Sequence, residues 1–419
     1  MLFAIIRSKE RSDQMVKKLW NKNFILLLQG ATFSMISDLM YSVAIGYWVY
    51  QKTGSNSLMG IMSSISMFVT MFLSPFSGTI VDKLNRKWVL VLGDAFQGIL
   101  MLTVGVLAYT DVLSVPVVLI AAFLAAFGGV FYSPASNTVL IDIIPRDDIV
   151  RGQSLFSGVS STINMIGTAL SGAVVAVLGV PFIIIINGCS NLYSAFSEML
   201  ISVPKTVRQG EKVSVKGILQ DSKTAVKTIF ENPCLRVFIP CAIVLNLLAA
   251  GSFSLALPFT LEKGFEVEQY GFLMSATTVG SLVCIIILGI FKFTAKTRFW
   301  IMAIGFSSSV VFMVFAFLST EFIPMCILFF CGSFFNCAGN TVFNASLMLA
   351  LPEANRGAIL GVFNAACVGG CALSALLYGF LGEIFPLYIL FAIGSFISIA
   401  PMLYLCFNPQ TKTFILKNT

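Results

Sequence analysis

The decapeptide FSMISDLMYS, residues 33–42, puts an aspartate, Asp38, inside an otherwise uncharged stretch that runs from about Phe24 to Tyr50. An ionised group at mid-membrane costs about 2.5–3.5 kcal/mol on insertion scales, and no Lys, Arg or His stands in the interior of any apolar run to neutralise it. Asp38 is therefore expected to be protonated or wetted by a cavity. Either state suits a carboxyl that exchanges a proton or holds a cationic substrate; the alternative is a neutral carboxyl hydrogen-bonded to a neighbouring helix. Gln29, Ser34, Asp38 and Tyr41 fall near one helical face, as a cavity lining would.

Two further acids, Asp94 and Glu198, lie nearer the ends of their apolar runs, where support by basic loops is the expectation, and Asp142 marks an interface. Asn336, Asn340 and Asn344 step by four, Asn364 follows, and Ser154, Ser157, Ser161, Asn164, Thr168 and Ser171 step by three and four. Such stripes serve helix packing or line a cavity. Amides in lipid need partners, which makes Asn336 and Asn340 the stronger lining candidates.

Other chemistry is scarce. The chain has no histidine, which excludes Ser/His and Cys/His catalysis and most zinc sites. Its ten cysteines show no CxxC pair and read as polarizable packing residues. No Gly-rich loop is followed by the Lys and Ser/Thr that cradle a nucleotide phosphate. The expectation is no enzyme, no cofactor and no metal.

The elements that carry these residues follow from composition. Of 419 residues 57% are hydrophobic and 11% charged, with mean hydropathy +0.92; soluble domains carry about a quarter charged residues. Runs of roughly 20 apolar residues cross a bilayer. Twelve are present: 23–50, 57–81, 89–110, 115–141, 153–178, 180–202, 235–261, 269–291, 299–318, 322–350, 357–380 and 384–407. The first is too long for a signal peptide, lacks a small-residue cleavage site, and is expected to stay as a span. With both termini in the cytoplasm, 24 of the 26 Lys and Arg fall on the inner side, Lys52 and Lys263 being the exceptions. The net charge of +7 is thus membrane topology and not a nucleic-acid footprint.

An internal repeat accompanies the count. GVFYSPASNTV at 129–139 lies over GSFFNCAGNTV at 332–342, pairing Asn137 with Asn340, and ALS at 169–171 recurs at 372–374. Six-plus-six duplication is the architecture of many secondary transporters. The expected fold is an all-α membrane protein of twelve transmembrane helices in two pseudo-symmetric six-helix bundles. Residues 1–22 form a cytoplasmic segment, 23–202 the first bundle, 203–234 a cytoplasmic linker, 235–407 the second bundle and 408–419 a tail. In the linker, Val215, Ile218, Leu219, Val226, Ile229 and Phe230 recur at helical spacing among lysines, as an amphipathic helix on the inner leaflet would.

The loop GTIVDKLNRKWVL after the second run resembles the signature of the major facilitator superfamily, through Gly78, Asp82, Lys83, Arg86 and Lys87. Gly78 permits close helix approach and the basic residues hold the loop inside; the resemblance implies a latch on the cytoplasmic side. Three stretches, SMISDLMYSVAIGYWVYQKTGS, IIPRDDIVRGQSLFSGVSSTINMIGTALSG and FENPCLRVFI, are similar to the macrolide-efflux-like branch, which includes drug and siderophore exporters. That branch usually has Gly-Pro where Gly167-Thr168 stands, and the fourth run lacks the embedded arginine of many drug:proton antiporters. The resemblance implies export of a small amphipathic molecule by alternating access, while the proton relay of those antiporters does not carry over without that arginine. The setting of Asp38 itself makes protons the expected partner, and the chain is expected to be a monomer in the cell membrane. An importer or facilitator of the same fold, or a ligand-binding sensor without turnover, are the rival readings.

Overall fold

In hydrocarbon every backbone N–H and C=O must be satisfied within the segment, which makes each apolar run a helix. The computed structural model describes residues 19–145, 148–203, 215–290, 294–351 and 356–409, with no strand among them. In chain order the helices are α1 (Lys22–Thr53), α2 (Asn56–Lys83), α3 (Arg86–Tyr109), α4 (Val115–Ile143), α5 (Ile149–Leu178), α6 (Val180–Met199), α7 (Val215–Glu231), α8 (Leu235–Ser254) and α9 (Ala256–Glu262). They continue as α10 (Val267–Ile290), α11 (Ala295–Leu318), α12 (Phe322–Ala350), α13 (Arg356–Leu381), α14 (Leu387–Ile397) and α15 (Ile399–Phe407).

Among the described residues eleven spans, of 19–32 residues each, are long and apolar enough to cross a membrane. The run expected at 153–178 is helix α5, which stands outside those eleven. Between α5 and α6 a single residue turns the chain: Gly179, at φ +75°, in the region where a Cβ would be strained.

Two expected runs are broken. The seventh splits into α8 and α9 at Leu255, and the twelfth into α14 and α15 at Ser398. Proline explains both positions. Pro258 has no N–H to donate to the carbonyl of Ser254, where α8 ends, and Pro401 has none for Ile397, where α14 ends.

Contacts divide the chain into two units, Met1–Ile45 with Leu73–Val213, and Gly46–Phe72 with Ser214–Thr419. In the first, α3 and α6 touch backbone to backbone. A Cβ at Gly188 would meet the Leu102 amide nitrogen at 2.7 Å, and one at Gly98 the Gly188 carbonyl oxygen at 3.0 Å. That approach fixes the polar residues of both helices against one another. At one end of the unit an apolar cluster including Phe24, Val81, Leu90 and Leu140 surrounds an ion pair, Arg86 Nη1 to Asp142 Oδ2 at 2.9 Å. Both side chains are close to fully buried, 9% and 11% exposed. Asp142 is therefore more than an interface marker: it holds the start of α3 to the end of α4.

In the second unit α7 docks by Ala225 and Ile229 onto a cluster with Phe238, Met302 and Leu347, while Val226 and Phe230 stay exposed. Lys263, one of the two expected exceptions to the inward charge bias, has a structural role. Its Nζ donates to the Ser319 carbonyl at 2.5 Å, where α11 ends, and lies 5.4 Å from the ring centres of Phe259 and Tyr388. A cation there complements the negative end of the helix and two π-faces.

Residues 46–72 join this unit through α13. Asn56 Nδ2 donates to the Gly382 carbonyl at 2.9 Å, and Glu383 Oε1 accepts from Ser55 Oγ and Ser57 Oγ at 2.6 Å and from the Ser57 amide at 2.8 Å. These bonds cap the start of α2 with a carboxylate from a distant segment. They hold the Glu383 carboxyl below its ordinary range, against a small opposing effect of burial. A depressed carboxyl stabilises the folded state above its unfolded value, about 4.3, and loses that contribution as pH falls through the folded one. Glu383→Gln should therefore lower the melting temperature of the purified protein near neutral pH. The gap from wild type should close as the medium is acidified through the lower carboxylate range.

Candidate functional site

Each unit holds a polar cluster in an apolar surrounding. In the first, α1 presents Asp38, and the side chain facing it is Asn187 of α6. Asn187 Nδ2 donates to Asp38 Oδ1 at 2.8 Å and to Ser37 Oγ at 3.1 Å. Asn187 is fully buried, and its Oδ1 has no partner. One turn on, Asn191 Nδ2 donates to the Asn187 carbonyl at 3.0 Å. Gln29 Nε2 reaches Ser197 Oγ at 3.3 Å, so α1 and α6 are joined by polar contacts along their length.

Asp94 and Glu198 belong to the same cluster. Glu198 Oε1 accepts from Tyr132 of α4 at 3.2 Å, Asp94 lies beside Ser194, and the two acids are electrostatic neighbours of one another, as Asp94 is of Asp38. Asp94 Oδ2 and Glu198 Oε2 are buried without a hydrogen-bond partner. The expected support by basic loops is corrected: these acids face tyrosine, serine and each other. Helix α6 contributes Asn187, Asn191, Ser194, Ser197 and Glu198, placed by the close glycine contact with α3.

In the second unit a cavity of about 250 Å³ is lined by three amides, Asn246, Asn340 and Asn344, with Phe306, Phe343 and Phe363. Asn246 Nδ2 donates to its own helix at Ala242, and its Oδ1 accepts from the Cys371 thiol at 3.5 Å. Asn340 Nδ2 donates to Asn336 Oδ1 at 2.8 Å and to the Asn336 carbonyl at 3.0 Å. The i, i+4 spacing that singled out Asn336 and Asn340 is thus a direct side-chain bond along α12.

The family model of the Major Facilitator Superfamily matches residues 27–243 and again 239–416. The chain belongs to this superfamily. That family and the solved structures of this fold are those of membrane transporters. Macrolide efflux protein A of Streptococcus pyogenes is 22% identical over 186 residues, 44% of this chain and 46% of that protein, so the chain matches less than half the length of that relative. The MFS-type transporter YfmI of Bacillus subtilis is 21% identical over 329 residues, 74% of this chain and 78% of its own. Among solved structures the nucleoside transporter NupG superposes with TM-score 0.74 at 16% identity, covering 92% of this chain and all of that one. A bacterial homologue of the lysosomal transporter Spinster does so at 0.69 and 13%, covering 94% and 95%. At those identities the likeness carries the fold alone.

The remaining residues of this superfamily member divide clearly. Ser34 is buried, but its hydroxyl is spent on its own helix at Gly30 and Ala31, and Tyr41 is an electrostatic neighbour of Asp38. Asn137, Asn164 and Asn364 are exposed, and Asn164 Nδ2 donates to the Ser160 carbonyl of its own helix. In the signature loop, Arg86 pairs with Asp142 and Lys87 Nζ donates to the Met199 carbonyl at 2.7 Å, both within the first unit. Gly78 is corrected as a close-approach residue: a Cβ there would meet nothing within 4 Å. The side chains of Asp82 and Lys83 lie outside the described residues. Asn187 is the partner that sequence reasoning missed, although an asparagine closing the run VPFIIIIN is a visible signal.

Proposed function

We propose that this transporter exports an amphipathic or hydrophobic organic compound by alternating access, coupled to inward proton flow through Asp38. The observation that carries the reading is the setting of that carboxyl. It sits inside a membrane bundle and takes its hydrogen bond from an uncharged amide, Asn187. A carboxyl so placed can be neutral in one state of the cycle and ionised in another, which a carboxylate locked to a cation cannot. Asp94 and Glu198 extend the acid path along the same bundle. The three-amide cavity of the second unit offers donors, acceptors and phenyl rings without a charge, as a neutral or weakly basic organic substrate requires. The name of the macrolide efflux relative supports the outward direction.

In this reading the protein is a monomer in the cell membrane with both termini in the cytoplasm, and residues 23–202 and 235–407 are the two bundles that alternate. The test uses inverted proteoliposomes containing the full chain and a panel of hydrophobic dyes and macrolides, with an acidic lumen imposed. Accumulation that disappears when nigericin collapses the pH gradient is the expected result. Uptake indifferent to the gradient, with simple equilibration of the dye, would make the protein a facilitator and overturn the coupling.

A further inference from the structure

The second unit contains another cavity, of about 300 Å³, on the other side of the Asn336–Asn340 bond. We propose that it is a second ligand site, for a neutral amphipathic organic molecule with an apolar body and one or two hydroxyl or amide groups. It goes beyond the export reading, because none of the lining of the three-amide pocket contributes to it.

The polar groups argue first. Ser309 of α11 and Ser333 of α12 line the cavity, are 3% and 6% exposed, and make no hydrogen bond. A serine inside a membrane helix ordinarily gives its proton to the carbonyl one turn back. Thr277, Ser281 and Ser398 of this same lining do so, to Met274, Thr277 and Ser395. The first two serines therefore keep free donors, and the other three hydroxyls turn only acceptor lone pairs outward. Asn336 adds a donor, since its Oδ1 is occupied by Asn340 while its Nδ2 has no acceptor. Two nearly buried serine hydroxyls and a half-buried amide turned to the cavity favour a guest that can accept.

The backbone argues independently. The lining runs through both proline breaks, from Ser252 to Phe259 across Leu255 and from Gly394 to Met402 across Ser398. Interrupted helices at membrane depth are tolerated where they are buried in protein or line a cavity, and in transporters they are the backbone mark of a binding site. No charged side chain lines this one, so a charged organic guest would find no counter-charge and a neutral one fits the lining. The volume lies at the small end of ligand pockets, roughly 300–1,000 Å³, and matches a two-ring compound.

The test is photolabelling of the purified full-length protein in neutral-lipid nanodiscs with 4-benzoylbenzyl alcohol, an uncharged two-ring ketone carrying one hydroxyl. The adduct is mapped by peptide mass spectrometry. Saturable labelling at Met274, Met313 or Met402 is expected, abolished in Ser309→Phe, whose ring fills the space, and weakened in Ser333→Ala, which removes a donor without steric change. Labelling that does not saturate, falls on lipid-facing side chains and is the same in Ser309→Phe would overturn the site. Competition by oleic acid, with the hydroxyl variants labelled as well as wild type, would show an acyl chain as the occupant and also overturn it. The labelling needs no flux, so its outcome is separate from that of the export experiment.

Discussion

Asp38→Asn is expected to abolish gradient-driven accumulation while leaving the protein folded and able to exchange labelled for unlabelled substrate. Asparagine is the shape of a neutral aspartic acid. Its Oδ1 can keep the bond from Asn187, so the α1–α6 contact survives. What it removes is the ionised state. One pH unit is worth about 1.36 kcal/mol per proton, so a one-for-one antiporter under such a gradient concentrates substrate about tenfold at equilibrium. The variant should concentrate it not at all, since a carrier without a titrating group only equilibrates. Flux in proteoliposomes, with and without the gradient, reads both quantities. Accumulation by Asp38→Asn at the wild-type level would make the aspartate structural and pass the coupling to Asp94 or Glu198.

Arg86 and Asp142 should give the largest loss of stability from a single change. Arg86 opens α3, where the helix dipole presents positive charge, and Asp142 stands one residue before the end of α4, where it presents negative. Each is the wrong sign for its own helix and the right sign for the other. Removing Arg86 leaves the nearly buried Asp142 carboxylate without this counter-ion, a cost of about 3–5 kcal/mol; removing Asp142 takes this carboxylate away from Arg86. Thermal unfolding of Asp142→Asn or Arg86→Met in detergent should show it. Replacing both partners, Arg86→Met with Asp142→Leu, should recover most of the loss, because an apolar pair of similar volume leaves no charge behind. Single variants that melt with the wild type would mean that the pair contributes nothing.

The elements were legible because hydrophobic length is a one-dimensional signal: ten of the twelve apolar runs became single helices and two became broken ones, and Asp38 stood out as a charge within one. The Asn336–Asn340 bond was legible for the same reason, since a spacing of four on one helix is a contact. What faces Asp38 was not, because Asn187 is 149 residues away and periodicity names a face without naming the helix opposite. The ion pair hid in the same manner, 56 residues apart, so Arg86 read as a topogenic charge and Asp142 as a boundary. The broken helices were open to derivation, as each ends four residues before a proline, but a hydropathy window averages across the break. Asn137 shows the converse: sequence symmetry with Asn340 did not bring symmetry of environment, since Asn137 is exposed where Asn340 is half-buried.

The Asn340-to-Asn336 bond has a pharmacological consequence. It is one amide strut shared by two chambers, so a compound that recruits Asn336 Nδ2 on one side changes the acceptor held out to Asn340 on the other. Two compounds, one in each chamber, would not displace each other. Each would shift the apparent affinity of the other by a fixed factor, and by thermodynamic reciprocity the same factor in both directions. Inhibition curves would then level off at a finite shift with increasing dose, where competition for a single chamber would continue without limit.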